Sequence, residues 1–234
     1  MAIASISHSK DMQEYMQETH DLINMEEYEE ALERTIWFHN HALEHDSSMY
    51  GVRLSFALMY WKDFGDKYPP ALVALKDIRD KNTGKLLAGE GSPELLNDVE
   101  AINRTLSEKD KTIDLFHRLD KEKPELAKRS WHYIKDTIIK SGNYELVKKY
   151  IGNLLVEYTR QEVRFIQMNE FYENNKEKFG RNYMEFAHSH YLEKTSELIG
   201  LAKELKDTKA EEEITKRASR ITEEYGLIYD FSNI

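Results

Sequence analysis

Apolar side chains recur along the chain at helical spacing almost throughout. Leu32 and Ile36 stand four positions apart near the N-terminus, and the same period continues through most of the later sequence. Alternation of apolar and polar residues, which would indicate strands, is sustained nowhere. The segment 50–61 is apolar on nearly every side apart from Arg53 and Ser55, which is typical of a helix packed centrally among several neighbours. The pattern therefore predicts an all-α protein.

Capping residues divide this pattern into about nine to eleven helices. Ser92-Pro93-Glu94 supplies an N-cap, a proline at the first helical position and an early acid, and Thr208-x-x-Glu211 matches a capping box. The predicted helices cover residues 9–24, 26–45, 48–64, 68–82, 93–106, 108–121, 124–140, 144–152, 154–178, 181–206 and 209–225. Glycines predict a loop over residues 82–92, and residues 1–8 are expected to be flexible.

Short corners between helices are predicted near residues 25, 65, 107, 142 and 207, and the first four are 40, 42 and 35 residues apart. A helical hairpin cannot bury its apolar face alone, so tandem hairpins of this period are expected to stack and share a core. We therefore predict one domain over residues 1–234, built of tandem hairpins stacked as an α–α superhelix.

One corner resembles a known repeat. Residues 61–68 read WKDFGDKY and resemble the tetratricopeptide signature W-x-x-L-G-x-x-Y, in which glycine permits a tight corner and aromatic side chains pack between helices. Residues 139–144 resemble a weaker copy, and residues 53–152 are similar to uncharacterised bacterial tetratricopeptide-like proteins. That resemblance implies a fold and no activity. The residues that carry the signature are Trp61, Phe64, Gly65, Tyr68, Ser141, Gly142 and Tyr144.

The hairpins are expected to be degenerate rather than regular. The small residue that the family places in its second helix and its closing proline are both missing at the expected offsets. The helix predicted near residues 154–178 also lacks an obvious partner. The resemblance therefore covers about two-thirds of the chain.

Composition fits long helices and removes several kinds of chemistry. The 234 residues include only 4 Pro and 10 Gly, and no Cys, which excludes disulfides, zinc–thiolate sites and thiol nucleophiles. No apolar segment approaches the 18 residues that a membrane helix needs, and the N-terminus lacks the features of a signal peptide. The expectation is a cytoplasmic protein that does not enter a membrane.

Charge is unevenly distributed along the chain. The net charge is −10, and residues 1–50 hold eleven Asp and Glu against Lys10 and Arg34, whereas residues 117–164 hold eleven Lys and Arg against seven acids. The acidic total opposes nucleic-acid binding. The charges are either ordinary solvated helix faces or surfaces that attract a basic partner or a second copy of the chain. The residues predicted for a partner surface are Glu26, Glu27, Glu29, Glu30, Tyr144, Lys148, Lys149, Arg160 and Arg164.

Two histidines are candidates for a metal site. His41 and His45 stand at i, i+4, which places two imidazoles on one helix face, and Glu44 or Asp46 could add oxygen ligands. No HExxH motif accompanies them, so the pair also fits ordinary surface residues. No cofactor and no metal is predicted.

Arginine and histidine spacings give one further hypothesis. Arg34-x4-His39 and Arg181-x6-His188 match the Arg-x4–6-His pattern of HEPN nucleases, in which the His transfers a proton and the Arg stabilises the phosphorane charge. A chain with this many Arg and His also produces such spacings by chance. No phosphate loop, GxSxG elbow or calcium loop is present, so no catalytic residue is predicted.

The sequence therefore favours a non-catalytic scaffold or adaptor whose helical array presents a groove to a peptide or protein segment. A bacterial immunity or regulatory protein would be one example. The alternative is an all-α RNase of HEPN type or a metal-binding helical protein that uses the His and Arg positions above.

Overall fold

The computed structural model describes residues 11–178, 181–231 and 234, and these residues are all-helical, as predicted. A 3-10 turn at Ser47–Met49 stands between the second and third α-helices. None of the described helices is long and apolar enough to cross a membrane. The predicted flexible segment 1–8 lies outside the described residues.

The α-helices are α1 (Met12–Asn24), α2 (Tyr28–His45), α3 (Tyr50–Arg53), α4 (Phe56–Lys67), α5 (Pro69–Ala88), α6 (Pro93–Thr105), α7 (Lys109–Glu122), α8 (Pro124–Lys140), α9 (Tyr144–Tyr150), α10 (Leu154–Glu173), α11 (Arg181–Glu204) and α12 (Thr208–Glu224).

The helices belong to two compact units, residues 1–137 and 138–234, whose boundary falls within α8. In the first unit α1 packs against α2, α4 against α5, α5 against α6 and α6 against α7, and α4 also packs on α6 and α5 on α7. In the second unit α10 packs against α11, α11 against α12, and α10 against α12. That the whole chain forms one domain stays a prediction.

Three helix corners share one backbone geometry. Glu26, Ser107 and Lys206 have φ of 63°, 60° and 56°, in the left-handed region. In each case the next residue donates its N–H to a carbonyl five positions back, at 2.7–3.0 Å. This pattern is the Schellman motif, which satisfies carbonyls at the end of a helix and reverses the chain. It ends α1, α6 and α11 and thereby starts α2, α7 and α12.

The structure corrects the predicted helices at two places in the first unit. The helix predicted over residues 48–64 is broken, because Ser55 leaves helical geometry (φ −132°, ψ −91°) and its hydroxyl donates to the Gly51 carbonyl at 2.7 Å. The loop predicted over residues 82–92 is helical as far as Ala88, since Leu86 is fully buried and holds the last turn against the core. The described residues form twelve α-helices, more than the nine to eleven predicted.

The structure also corrects the helix predicted without a partner. That helix, α10, ends at Glu173 and packs antiparallel on α11. Tyr158 and Tyr191 bring their hydroxyls to 2.9 Å, and Gln161 donates to Thr195 at 2.8 Å. These side chains come from two helices whose pairing only the folded chain reveals, and they form the core of the second unit.

Candidate docking groove between α1 and α4

A groove of about 600 Å³ opens in the first unit between α1 and α4, with side chains of α2 at its base. Helices α4 and α6 pack directly on one another, whereas α1 and α4 do not pack along their length. The groove occupies the space between them. Its lining residues are Gln13, Met16, Gln17, Thr19, His20, Ile23, Thr35, Phe38, Val52, Phe56, Ala57, Tyr60 and Trp61.

The α1 wall of the groove presents uncharged polar side chains. Gln13, Gln17 and His20 stand at i, i+4 and i+7, so they project from one face of the helix and are exposed. Asp11 fixes where this helix begins, because its carboxylate accepts the Gln13 N–H at 2.8 Å. The adjoining face of α1 is buried, so the helix cannot turn these three residues away from the groove.

The α4 wall presents aromatic side chains. Phe56 is 58% exposed and Tyr60 is 48% exposed, and Met59 extends the same surface. The His20 and Tyr60 rings approach to 6.1 Å and narrow the groove at that point. Contiguous exposed apolar side chains rimmed by polar residues mark interaction sites in soluble proteins.

The base of the groove is rigidly packed. Phe38 and Trp61 are buried, and the Trp61 indole N–H donates to the Ala71 carbonyl at 2.8 Å, which fixes the ring. The His39 ring meets Trp61 edge to face with centroids 5.7 Å apart. The base is therefore held in place by contacts within the protein itself.

Behind the base lies a buried cluster of polar side chains. Arg53 donates to the Asp98 carboxylate at 2.5 Å and to the His39 carbonyl at 3.3 Å, and the same Nη1 lies 3.5 Å from His39 Nε2. The Arg53 Nε has no hydrogen-bond partner among the described residues. Burial and the Arg53 charge lower the pKa of His39 from 6.5 to about 3, so the imidazole is neutral at physiological pH. Burial raises the pKa of Asp98 even though Arg53 opposes that shift.

Tyrosine hydroxyls extend this cluster towards α8. Asn97 donates to the Tyr50 hydroxyl at 2.8 Å. Burial, together with a hydrogen bond to Tyr50, raises the pKa of Tyr133 to about 12. The cluster therefore joins α3, α6 and α8: the Arg53–Asp98 ion pair links α3 to α6, and neutral tyrosine hydroxyls and the Asn97 amide extend the connection to α8.

The groove itself carries no formal charge, but its surroundings are acidic. Among the described residues that line it, none is Asp, Glu, Lys or Arg. Glu14 and Asp21 directly follow Gln13 and His20 on the exposed side of α1. Residues 11–50 contain eleven acids and only Arg34 among basic residues, and Arg34 pairs with Glu18 at 2.7 Å.

The residues of the tetratricopeptide-like signature lie close together at the turn from α4 to α5. Trp61 and Phe64 are buried, and Gly65 lies inside α4, where a Cβ would stand 2.8 Å from the Leu72 Cβ. Glycine is thus required for the close approach of α5. Tyr68 stacks on Phe64 and donates to Glu29 at 3.3 Å.

The weaker copy lies at the turn from α8 to α9. Gly142 has φ 73°, which favours glycine, and the Ser141 hydroxyl donates to the Ile138 carbonyl at 2.7 Å. Tyr144 begins α9. These residues shape a corner and lie in the second unit.

The predicted partner surface is divided between the units. Glu26, Glu27, Glu29 and Glu30 are exposed at the corner between α1 and α2 in the first unit. The basic members lie on α9 and α10 in the second unit, where Lys149 lies 5.3 Å from the Tyr150 ring centroid and Arg160 pairs with Glu157. The members of the predicted surface in the second unit are Tyr144 and the basic residues Lys148, Lys149, Arg160 and Arg164.

His41 and His45 both lie against the indole of Trp37, with ring centroids 5.4 and 5.2 Å away. His41 Nδ1 is 3.2 Å from the Glu44 carboxylate. No group of three His, Asp or Glu side chains that could hold a metal occurs in the described part of the chain. The two imidazoles are thus arranged as an aromatic surface cluster.

Of the two histidines of the nuclease hypothesis, His39 is poorly placed for proton transfer. His39 is 5% exposed, and Arg34 is engaged with Glu18 and lies over the Tyr15 ring. His188 packs on Phe165 at 5.9 Å, and burial lowers its pKa. A general acid or base must reach its substrate, and His39 lies beneath the groove base. The Arg181 side chain lies outside the described residues.

The groove was not predicted from the sequence, because the apolar segment 50–61 was expected to be covered by neighbouring helices on all sides. In the structure Phe56, Met59 and Tyr60 are exposed, although Leu58 and Trp61 between and beside them are buried. The sequence signal was partial: an apolar helix can keep one face uncovered for a partner, but the pattern does not show which face that is. The amide side chains of α1 carried no comparable signal.

Comparison with known proteins finds no matching protein-family model, no matching curated protein and no matching solved structure.

Proposed function

We propose that this protein is a non-catalytic adaptor that binds a segment of another protein in the groove between α1 and α4. The observation that carries the proposal is the exposed aromatic wall of Phe56 and Tyr60 beside a preformed base of Phe38 and Trp61. A fixed apolar base costs little to organise on binding, and a few residues, among which Tyr and Trp are enriched, supply most of the binding energy in typical interfaces.

The proposal includes a tetratricopeptide-like stack of hairpins. Its support is the order of packing, in which α4, α5 and α6 each pack on the next helix, and α4 and α5 also pack on the helix after that. Stacked hairpins require this order, because each hairpin covers the apolar face of its neighbour. In this stack the groove lies where the hairpin α1–α2 stands away from the hairpin α4–α5, beside α3 and the 3-10 turn at Ser47–Met49. A bacterial source and a cytoplasmic location belong to the same proposal.

The buried position of His39 and the engagement of Arg34 favour an adaptor over an RNase. That alternative stays a prediction with its own test, which is RNA cleavage by the double variant His39→Ala and His188→Ala. Loss of a measurable wild-type activity in the double variant would support the RNase. Unchanged or undetectable activity would end it.

Site-specific photo-crosslinking tests the adaptor proposal. A benzoylphenylalanine is placed at Tyr60 on the groove wall and, as a matched control, at Phe186, an aromatic residue of α11 that is 63% exposed. The cells that produce the protein are illuminated, and adducts are identified by mass spectrometry. We expect a discrete protein adduct from position 60 that position 186 does not give.

The adduct must also depend on the groove. Replacement of Phe56 by Ala in the Tyr60 crosslinker variant is expected to reduce the adduct strongly. Equal adducts from positions 60 and 186, or none from position 60 in cells that contain the folded protein, would contradict the adaptor proposal.

A further inference from the structure

We infer that the groove takes an extended, basic segment of a protein chain, held by its backbone along α1 and by an apolar side chain at the base. This inference rests on the proposed function, because it names the chemistry of the partner for the same groove. It follows from three features of the groove: the amide side chains on one wall, the aromatic opposite wall and the acidic surroundings.

The amide wall matches the repeat of an extended chain. Gln13 and Gln17 stand four residues apart on α1, which separates them by about 6 Å along the helix axis. Peptide groups on one edge of an extended strand repeat every two residues, or about 6.7 Å. A primary amide both donates and accepts, as a peptide group does. The two side chains can therefore bond successive peptide groups on one edge of an extended chain.

One of these side chains is already oriented for that role. Gln17 Nε2 donates to the Asp21 carboxylate at 3.0 Å. This bond limits rotation of the amide, which leaves Gln17 Oε1 to accept a partner N–H. Gln13 is exposed at the entrance of the same row. A helical occupant would gain little from this wall, because the peptide groups of a helix are bonded within the helix.

The opposite wall and the base fit apolar side chains. An extended chain directs alternate side chains to opposite sides, so one set faces Phe56, Tyr60 and the Trp61 base while the next set faces solvent. The expected partner therefore carries large apolar residues two positions apart.

The charge around the groove selects the solvent-facing set. Glu14 and Asp21 flank the amide wall, and Arg34, the one basic residue among residues 11–50, is paired with Glu18. Lys or Arg side chains that point out of the groove would meet these carboxylates, while Asp or Glu would be repelled. Complementary charge also speeds association at low salt.

A random library of twelve-residue peptides displayed on phage tests this inference with the full chain. The library is selected on the wild-type protein and counter-selected on the Phe56→Ala/Tyr60→Ala variant, which lacks the aromatic wall. Both replaced residues are exposed, so the variant is expected to fold, and circular dichroism checks this. Synthetic versions of the enriched peptides are then titrated against wild type, Gln13→Leu/Gln17→Leu and Glu14→Gln, which removes a flanking charge and leaves the bond from Gln17 to Asp21 in place.

We expect enriched peptides with apolar residues two positions apart and more Lys and Arg than Asp and Glu. Their affinity is expected to fall about tenfold in Gln13→Leu/Gln17→Leu, because two hydrogen bonds are lost. A smaller loss that disappears at high salt is expected in Glu14→Gln. The charge control is Glu185→Gln/Glu193→Gln on exposed positions of α11, which is expected to leave the affinity unchanged.

The failures of this inference and of the proposed function are distinguishable. Some enriched peptides would overturn the extended basic segment but leave the proposed docking groove intact. These are peptides that need the aromatic wall but carry apolar residues three or four positions apart, are acidic, or bind the Gln13→Leu/Gln17→Leu variant as well as the wild type. If no peptide distinguishes wild type from Phe56→Ala/Tyr60→Ala, the proposed function itself fails.

Discussion

The guanidinium of Arg53 lies 2.5 Å from the carboxylate of Asp98, and this ion pair joins α3 to α6 inside the first unit. Arg53 ends α3, three residues before α4 begins at Phe56. The position of the aromatic groove wall thus depends on a buried charge pair. Arg53 also bonds the His39 carbonyl, which connects the wall to the helix that forms the base.

Loss of Arg53 is expected to be costly for stability. Arg53→Met leaves the Asp98 carboxyl partly buried without its counter-charge, and removing one partner of a buried pair costs about 3–5 kcal/mol. The double variant Arg53→Met/Asp98→Leu is expected to recover part of that loss. The free energy of unfolding in urea measures both. The control Arg160→Met breaks the exposed pair with Glu157 and is expected to cost less than about 1 kcal/mol. Equal costs for the two single variants would contradict this account.

Stability is expected to depend on the protonation of His39. The pKa of His39 is about 3 in the folded chain and 6.5 as the reference value, so the unfolded chain binds the proton more tightly. The free energy of unfolding therefore falls as pH drops through the window from 6.5 towards 3, by up to about 1.4 kcal/mol per pH unit from this group.

A His39→Gln variant isolates this effect. The raised pKa of Asp98 acts with the opposite sign, since the folded chain holds that proton more tightly. It is present in both proteins, so the difference in their urea unfolding between pH 4.5 and 6.5 reports His39. We expect the variant to lose less stability than the wild type on acidification. Parallel pH profiles would show that His39 is not buried as neutral imidazole.

Two glycine-to-alanine changes are expected to act in opposite directions. At Gly65 the new Cβ meets the Leu72 Cβ at 2.8 Å, so α4 and α5 must separate, at a cost of about 1–3 kcal/mol. Gly84 lies in helical α5 with nothing within 4 Å of an added Cβ, so Gly84→Ala is expected to stabilise by about 0.5–1 kcal/mol. Melting temperatures of the two variants provide the comparison. A neutral Gly65→Ala would mean that the two helices are not in close contact.

The C-terminal tail is expected to stabilise the second unit. Phe231 is almost fully buried, and the nearby Tyr229 hydroxyl lies 2.9 Å from the Ser196 hydroxyl of α11. Phe231→Ala is expected to cost about 3–5 kcal/mol, as is usual for a buried phenylalanine. Ile228→Ala, at a fully exposed position of the same tail, is expected to change stability by less than about 0.5 kcal/mol. Similar effects of the two changes would place the tail in solvent.

The all-helical class was predictable because apolar spacing and capping residues act locally. The break at Ser55 was not predictable, since a serine within an apolar run fits a helix interior equally well. In the structure Ser55 leaves helical geometry, and the preceding Arg53 bonds the His39 carbonyl of α2. The extension of α5 to Ala88 depends on burial of Leu86, a tertiary effect that outweighs the nearby glycines. The groove depends on which face of α4 remains uncovered, and local sequence does not determine that.

The affinity of a wall-dependent peptide for the groove, followed by Trp61 fluorescence, tests the central claim most directly. In the variant Trp37→Phe/Trp131→Phe, Trp61 is the remaining tryptophan and lies at the groove base. We expect a saturable change in its emission, weakened at least tenfold by Phe56→Ala/Tyr60→Ala and unchanged by Phe186→Ala. Unchanged Trp61 emission on binding, or equal affinities for the Phe56→Ala/Tyr60→Ala and Phe186→Ala variants, would show that the partner binds elsewhere.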